Sequence, residues 1–235
     1  MITFGQGARL LVLSPHCDDA VFSCGHLLAT YPGATVVTVF AGRPPAGTPL
    51  TEWDAASGFG PGDDVMGARR AEDRAALTLL GAPPLWLDFC DSQYGSPPSL
   101  AELTAALQAA VASTGPQAVF IPLGLFHSDH ALVHEAALGL ARRRRRLSWF
   151  AYEDALYRRI PGLVGERVRR CRARGFGLHK VTVRLRENEE LKRQAVCCYR
   201  SQLRALTTPG RPGYADALTP ERFWRLTPPP LATAA

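Results

Sequence analysis

Long apolar runs, lysine and paired cysteines are all scarce in this 235-residue chain, and the first and last of these each remove a class of protein. No run approaches the ~18 apolar residues that cross a bilayer, so no membrane span is expected. The opening Met1-Ile2-Thr3-Phe4-Gly5-Gln6-Gly7 lacks the charged and apolar regions of a secretion signal, and the expected location is cytoplasmic. Six cysteines, at 17, 24, 90, 171, 197 and 198, make no C-x-x-C pair and no compact secreted framework. Reduced thiols are therefore expected, and a cysteine-based zinc site is not. A zinc-protease helix is missing too, because Ala131 rather than Glu follows His130.

Lysine occurs twice against 25 arginines, a compositional bias. The charge is uneven. Residues 142–174 hold twelve Arg against Glu153, Asp154 and Glu166, a net +9, which leaves −3 for the rest of a chain whose total is +6. A basic patch attracts phosphates, nucleic acid or a membrane surface. The simpler reading is a solvated helix end, since Arg142 to Arg146 close a predicted helix where cations suit the dipole. Arg158, Arg159 and Arg167 to Arg174 follow a predicted strand and are expected on the pocket side, in reach of an anionic substrate.

The length suits one α/β domain with a substantial core. Strands are read at 9–13, 35–40, 85–89, 118–122 and 147–152. Helices at 19–30, 65–80, 99–112 and 129–143 alternate with them. Ser99 and Glu102 have capping-box spacing, and Gly81 with Pro83 and Pro84 is a stop signal. Residues 41–64 read as a long loop and 90–98 as another. An exposed-edge strand at 179–186 and a helix at 187–206 follow. Residues 1–227 read as a single domain, and 228–235 as a disordered tail. The alternation implies a Rossmann-like, doubly wound, mostly parallel sheet of order near 3-2-1-4-5, with C-terminal strand and helix additions.

Two His/Asp clusters stand just past predicted strands. Ser14-Pro15-His16-Cys17-Asp18-Asp19 follows Leu10-Leu11-Val12-Leu13, and His127-Ser128-Asp129-His130 follows Ala118-Val119-Phe120-Ile121. In the 3-2-1-4-5 order strands 1 and 4 are neighbours, and ligands bind beside their carboxyl ends, where the winding reverses. One composite site is expected. Catalytic zinc takes three N/O ligands and keeps a position open, and His16, Asp19 and His130 would supply such a set. Adjacent carboxylates diverge, so one can bind metal while the other faces water as a base. A charged His127 would stabilise an oxyanion, with Asp129 beside it. Cys17 is expected to shape the turn.

These residues match a family. Pro15-His16-Cys17-Asp18-Asp19 with His127-Ser128-Asp129-His130 resembles the P/AHPDDE and HPDH motifs of the PIG-L/LmbE-like zinc deacetylases, which remove N-acetyl groups from amino sugars in glycolipid, thiol-cofactor and antibiotic pathways. Arg69-Arg70-Ala71-Glu72, Tyr199-Arg200-Ser201-Gln202 and Phe223-Trp224 resemble further elements of it. The resemblance implies zinc, one per chain, on His16, Asp19 and His130, with other divalent ions able to replace it. It implies Asp18 as base, His127 with Asp129 stabilising the intermediate, and Arg69 and Asp91 touching substrate. Cys17 and Ser128 replace the usual prolines and Ala20 the usual Glu. The expected enzyme is a zinc-dependent amide hydrolase whose small-molecule partner is an N-acylated amino sugar or glycoside, not nucleic acid. Homo-oligomerisation is left open. Two rival readings stand: another metal-dependent hydrolase such as a phosphoesterase, and a non-catalytic nucleic-acid-binding module using the Arg-rich segment.

Overall fold

Leu10–Ser14 (β1) is buried along its whole length, and its side chains divide between two cores. Leu10 and Val12 face one, Leu11 and Leu13 the other, as the two-residue period of a strand requires. Thr35–Thr38 (β2), Pro84–Trp86 (β3), Ala118–Pro122 (β4) and Ser148–Tyr152 (β5) join it in a parallel array of order β3-β2-β1-β4-β5. Gly177–Val181 (β6) and Phe223–Thr227 (β7) extend the array antiparallel, as β5-β7-β6, to seven strands. This computed structural model describes residues 1–5, 7–95 and 97–230. The expected tail therefore falls outside the described residues from 231 onward.

Helices cover both faces. Asp19–Thr30 (α1), Val65–Leu79 (α3), Glu189–Cys197 (α7) and Arg200–Leu206 (α8) bury residues in the core that holds Leu10. Leu100–Thr114 (α4), Ser128–Arg143 (α5) and Leu163–Ala173 (α6) do so in the other. A short helix, Glu52–Ser57 (α2), precedes α3 in the chain. Leu10 of β1 pairs with Ala118 of β4, so the carboxyl ends of these two strands emerge side by side where the winding reverses.

The departures from expectation have local causes. The 41–64 segment is not all loop: Thr51 and Asp54 form a reciprocal capping box that starts α2, and Gly58, at φ 96°, ends it. The helix expected over 187–206 is two. Tyr199 turns into the core to donate to Asp73 at 2.8 Å, and Glu72 takes both the N–H and the hydroxyl of Ser201, starting a new helix there. Residues 158–174, left without assignment in the sequence, contain α6. β7 was not expected at all; it lies between β5 and β6 and pairs with both.

α1 is kinked at Cys24, whose φ of −138° leaves the helical range. The backbone N–H groups of His26 and Leu27 donate instead to the Glu221 carboxylate, at 2.7 and 3.1 Å. Lys192 of α7 balances that charge at 2.6 Å. Both side chains are at most 2% exposed.

Candidate active site

Ser14 shapes the turn from β1 into α1. Its hydroxyl donates to His16 O at 2.6 Å and accepts from Ala20 N at 2.9 Å. The turn places Asp18 at the N-cap position with no side-chain cap bond, and its carboxylate lines the cleft below. Asp19 turns back, and its Oδ2 accepts the His16 N–H at 2.8 Å. On the neighbouring strand the chain leaves β4 through Gly124, at φ 80°, where a Cβ would stand 2.7 Å from the His134 Cβ. His127 then caps α5, its Nδ1 accepting the N–H of Asp129 at 3.2 Å. A ring that accepts at Nδ1 carries its proton on Nε2.

The two turns bring the expected residues together. Asp19 Oδ2 lies 3.2 Å from His16 Nδ1 and 3.2 Å from His130 Nε2. His16, Asp19 and His130 each offer a ligand atom, all within 4.8 Å of one another, and His16, His127 and Asp129 meet the same criterion. The two groups use one imidazole from two sides. Nδ1 of His16 faces Asp19, and Nε2 faces Asp129 at 3.1 Å. His130 is treated alike, because its Nδ1 meets Asp154 at 2.7 Å. Each imidazole of the first group is thus backed by a carboxylate, the arrangement that orients metal-binding histidines. Two nitrogens and one oxygen, with backing carboxylates, fit a divalent cation of the zinc kind. The buried Oδ1 of Asp129, which has no hydrogen-bond partner among the described residues, adds to the unmet negative charge.

Electrostatics separate the members. Burial pushes the Asp18 carboxyl up to about 7, and the Asp19 charge adds to this. Burial also opposes ionisation of Asp19, but the His130 and His16 imidazoles outweigh it and hold that carboxyl well below its usual range. Burial would lower His130, yet Asp19 and Asp154 raise it to about 9. His127 shifts the other way. Burial lowers it, as do His16 and His130, so the neutral ring is favoured. A neutral ring agrees with the N–H that its Nδ1 accepts.

A cleft of about 720 Å³ opens over this cluster. Arg69 and Asp91 both line it. Arg69 is buried and already paired, donating to Asp54 at 2.9 Å, with Tyr94 Oη at 3.4 Å. Its Nε has no partner among the described residues. Asp91 caps a single 3-10 turn and stands 3.7 Å from His16 Nε2. The carboxylate of Asp129 lies nearer to His16 than to His127, whose Nδ1 is 3.9 Å away.

The Arg-rich segment does not reach the cleft as expected. From it Leu156, Tyr157 and Ile160, but none of its arginines, line the wall. Arg158 is buried against Asp216 and the carbonyl of Pro220, Arg167 bonds Gly124 O, and Arg174 pairs with Glu135. His134 is also spent on packing, between Pro122 O and the Cys171 thiol. Sequence reasoning placed Tyr152-Glu153-Asp154 at the end of a strand near the pocket but missed that Asp154 backs His130. It also missed Trp53, which donates to Gln202 at 3.1 Å across the cleft wall. All six cysteines are free thiols. Among the described residues no helix is long and apolar enough to cross a membrane.

The sequence matches the model of the GlcNAc-PI de-N-acetylase family, PIG-L, over residues 11–141. It is 30% identical to 2′-N-acetylparomamine deacetylase of Streptomyces fradiae over 171 residues, 63% of this chain. The match spans 57% of that relative's length. A deacetylase triple mutant of the teicoplanin biosynthetic pathway shares the fold with a TM-score of 0.77 at 26% identity, over 94% of this chain and 98% of that one. The A40926 pseudoaglycone deacetylase gives 0.70 at 28% identity, with the same coverage.

Proposed function

The chain belongs to the PIG-L family, and on that premise we propose that it is a metal-dependent hydrolase that removes an N-acetyl, or other N-acyl, group from an amino sugar or its glycoside. The observation that carries this reading is the donor group His16, Asp19 and His130 with the Asp18 carboxylate beside it on the cleft. These three residues would hold the ion, with zinc the preferred choice and other divalent cations able to bind a mixed N/O set. Such an ion, when bound, supplies Lewis-acid polarisation of the amide carbonyl and makes water more acidic.

The remaining work falls to side chains. Asp18 accepts the proton of the attacking water, which a carboxyl pushed up to about 7 does near neutral pH. His127 presents Nε2–H to the carbonyl oxygen as negative charge develops there. Asp129 and Asp154 keep His16 and His130 in place from behind. The proton taken by Asp18 is the one the departing amine needs, and acetate is the second product. Arg69 and Asp91 line the same cleft and would meet the sugar hydroxyls. The family match and the deacetylase relatives support an amide rather than a phosphoester as the bond broken. Amine release from a panel of N-acylated amino sugars and glycosides tests the reaction. Elemental analysis tests the ligands: about one metal per chain in the wild type, lost in His16→Ala, Asp19→Ala and His130→Ala. Wild-type metal content in those variants would reject the ligand set.

A further inference from the structure

We propose that Phe126, with Tyr157 and Ile160, forms a platform for an apolar substituent of the substrate, so that the enzyme selects substrates carrying such a group next to the reacting amide. The inference rests on the deacetylase reading above and narrows its substrate class. Phe126 is the one non-glycine residue with positive φ among those described, at 60°. The His127 N–H closes back on Leu125 O at 2.7 Å, which makes Phe126 the centre of a three-residue turn of the strained hand. A bulky residue in that conformation is an outlier that surrounding structure must hold. The surroundings do hold it: buried Asp154 takes the Leu125 N–H at 3.0 Å, and His127 caps α5.

Packing does not explain the side chain. Phe126 is 70% exposed, and its aromatic neighbour is Tyr157, with ring centroids 5.2 Å apart and planes at 30°. Glycine would adopt the turn at less cost. Of the six large apolar side chains exposed among the described residues, Phe126 and Ile160 stand on the cleft. Trp53 faces the same space, with Arg211 over its ring at 5.1 Å. A fixed aromatic face beside His127 offers an entering apolar group contact area at little ordering cost. The group could be an aglycone on the sugar or an acyl chain longer than acetyl. Both present the same chemistry to the platform.

The test measures binding by calorimetry in an Asp18→Asn background, which suppresses turnover. The probes are methyl N-acetylglucosaminide, its 4-nitrophenyl counterpart and methyl N-hexanoylglucosaminide. At least one apolar probe should bind about tenfold more tightly than the parent, in line with an aromatic contact. Phe126→Ala should reduce that ratio to near one, and Phe126→Tyr should keep it. The probe showing the advantage identifies the source, aglycone or acyl chain. The proposal fails if neither apolar probe is preferred, or if Phe126→Ala keeps the preference. It fails equally if Phe126→Ala weakens all three probes alike, because the turn then serves only to aim His127. Amine release by the protein with Asp18 intact is read alongside. A Phe126-dependent preference without cleavage of any probe would reject the deacetylase reading and leave the platform standing.

Discussion

Asp18 and Asp19 are identical in chemistry and adjacent in the chain, and only their hydrogen bonds divide them. Asp19 meets one backbone N–H and two imidazoles, whereas Asp18 has no side-chain cap bond and faces the cleft. Asp18→Asn is therefore expected to keep its metal and its fold while losing roughly 10²–10⁴ in kcat, the range for a positioned general base. Metal content and amine release check it together; metal loss equal to that of Asp19→Ala would merge the two roles. Asp154 would stand behind the proposed ion rather than beside it, since it meets the Nδ1 of His130. Asp154→Asn should weaken metal affinity by about 10–100-fold, read by competition with a chelator. Unchanged affinity would return Asp154 to a purely structural role. The donor group and Asp18 were legible because two compact motifs carry them. The backing role of Asp154 was not, since a backing carboxylate can come from any element that ends nearby.

Among the elements, α1 carries the largest local burden, because it starts with Asp18 and Asp19 and is then opened at Cys24 to admit the Glu221 carboxylate. Glu221→Ala would strand the Lys192 ammonium at 2% exposure and leave two backbone donors unmet. A loss of about 3–5 kcal/mol in urea unfolding is expected, the usual cost of breaking a buried pair from one side. A loss under about 1 kcal/mol, the scale of an exposed pair, would show that the kink stands without it. Such an insertion has no sequence signature, for Glu221 is 195 residues from His26. By contrast β4 and the start of α1 were readable to the residue, since an apolar run and a turn motif fix them locally. α2 was hidden by the Gly- and Pro-rich stretch around it, although Thr51 and Asp54 held a capping signal. β7 was hidden because its place depends on pairing with β5 and β6.

At the scale of the molecule the charge excess does not form a free binding face in the cleft. Arg158, Arg167, Arg172 and Arg174 are bonded to the fold's own carboxylates and carbonyls, stitching the extra strands and α6 to the parallel array. A buried carboxyl elsewhere gives the whole fold a pH dependence. Asp73 of α3 accepts from Trp86 Nε1 of β3 at 2.7 Å and from Tyr199 Oη, between α7 and α8, at 2.8 Å. It thereby ties three elements together. Burial pushes its carboxyl up from 3.8 to about 7, the two hydrogen bonds only partly offsetting it. A folded-state value above the unfolded one means that the folded protein binds this proton more tightly. The associated stability is whole below about pH 4, where both states are protonated, and is lost as pH rises through 7. A shift of that size corresponds to roughly 4 kcal/mol at most. Asp73→Asn keeps an acceptor for Trp86 and a donor for the Tyr199 oxygen, but it cannot ionise. Its stability relative to the wild type, from urea unfolding at several pH values, should therefore rise between about pH 4 and 7.5 and level off above. A difference that stays flat across that interval would show that Asp73 titrates in the folded protein as it does in the unfolded chain.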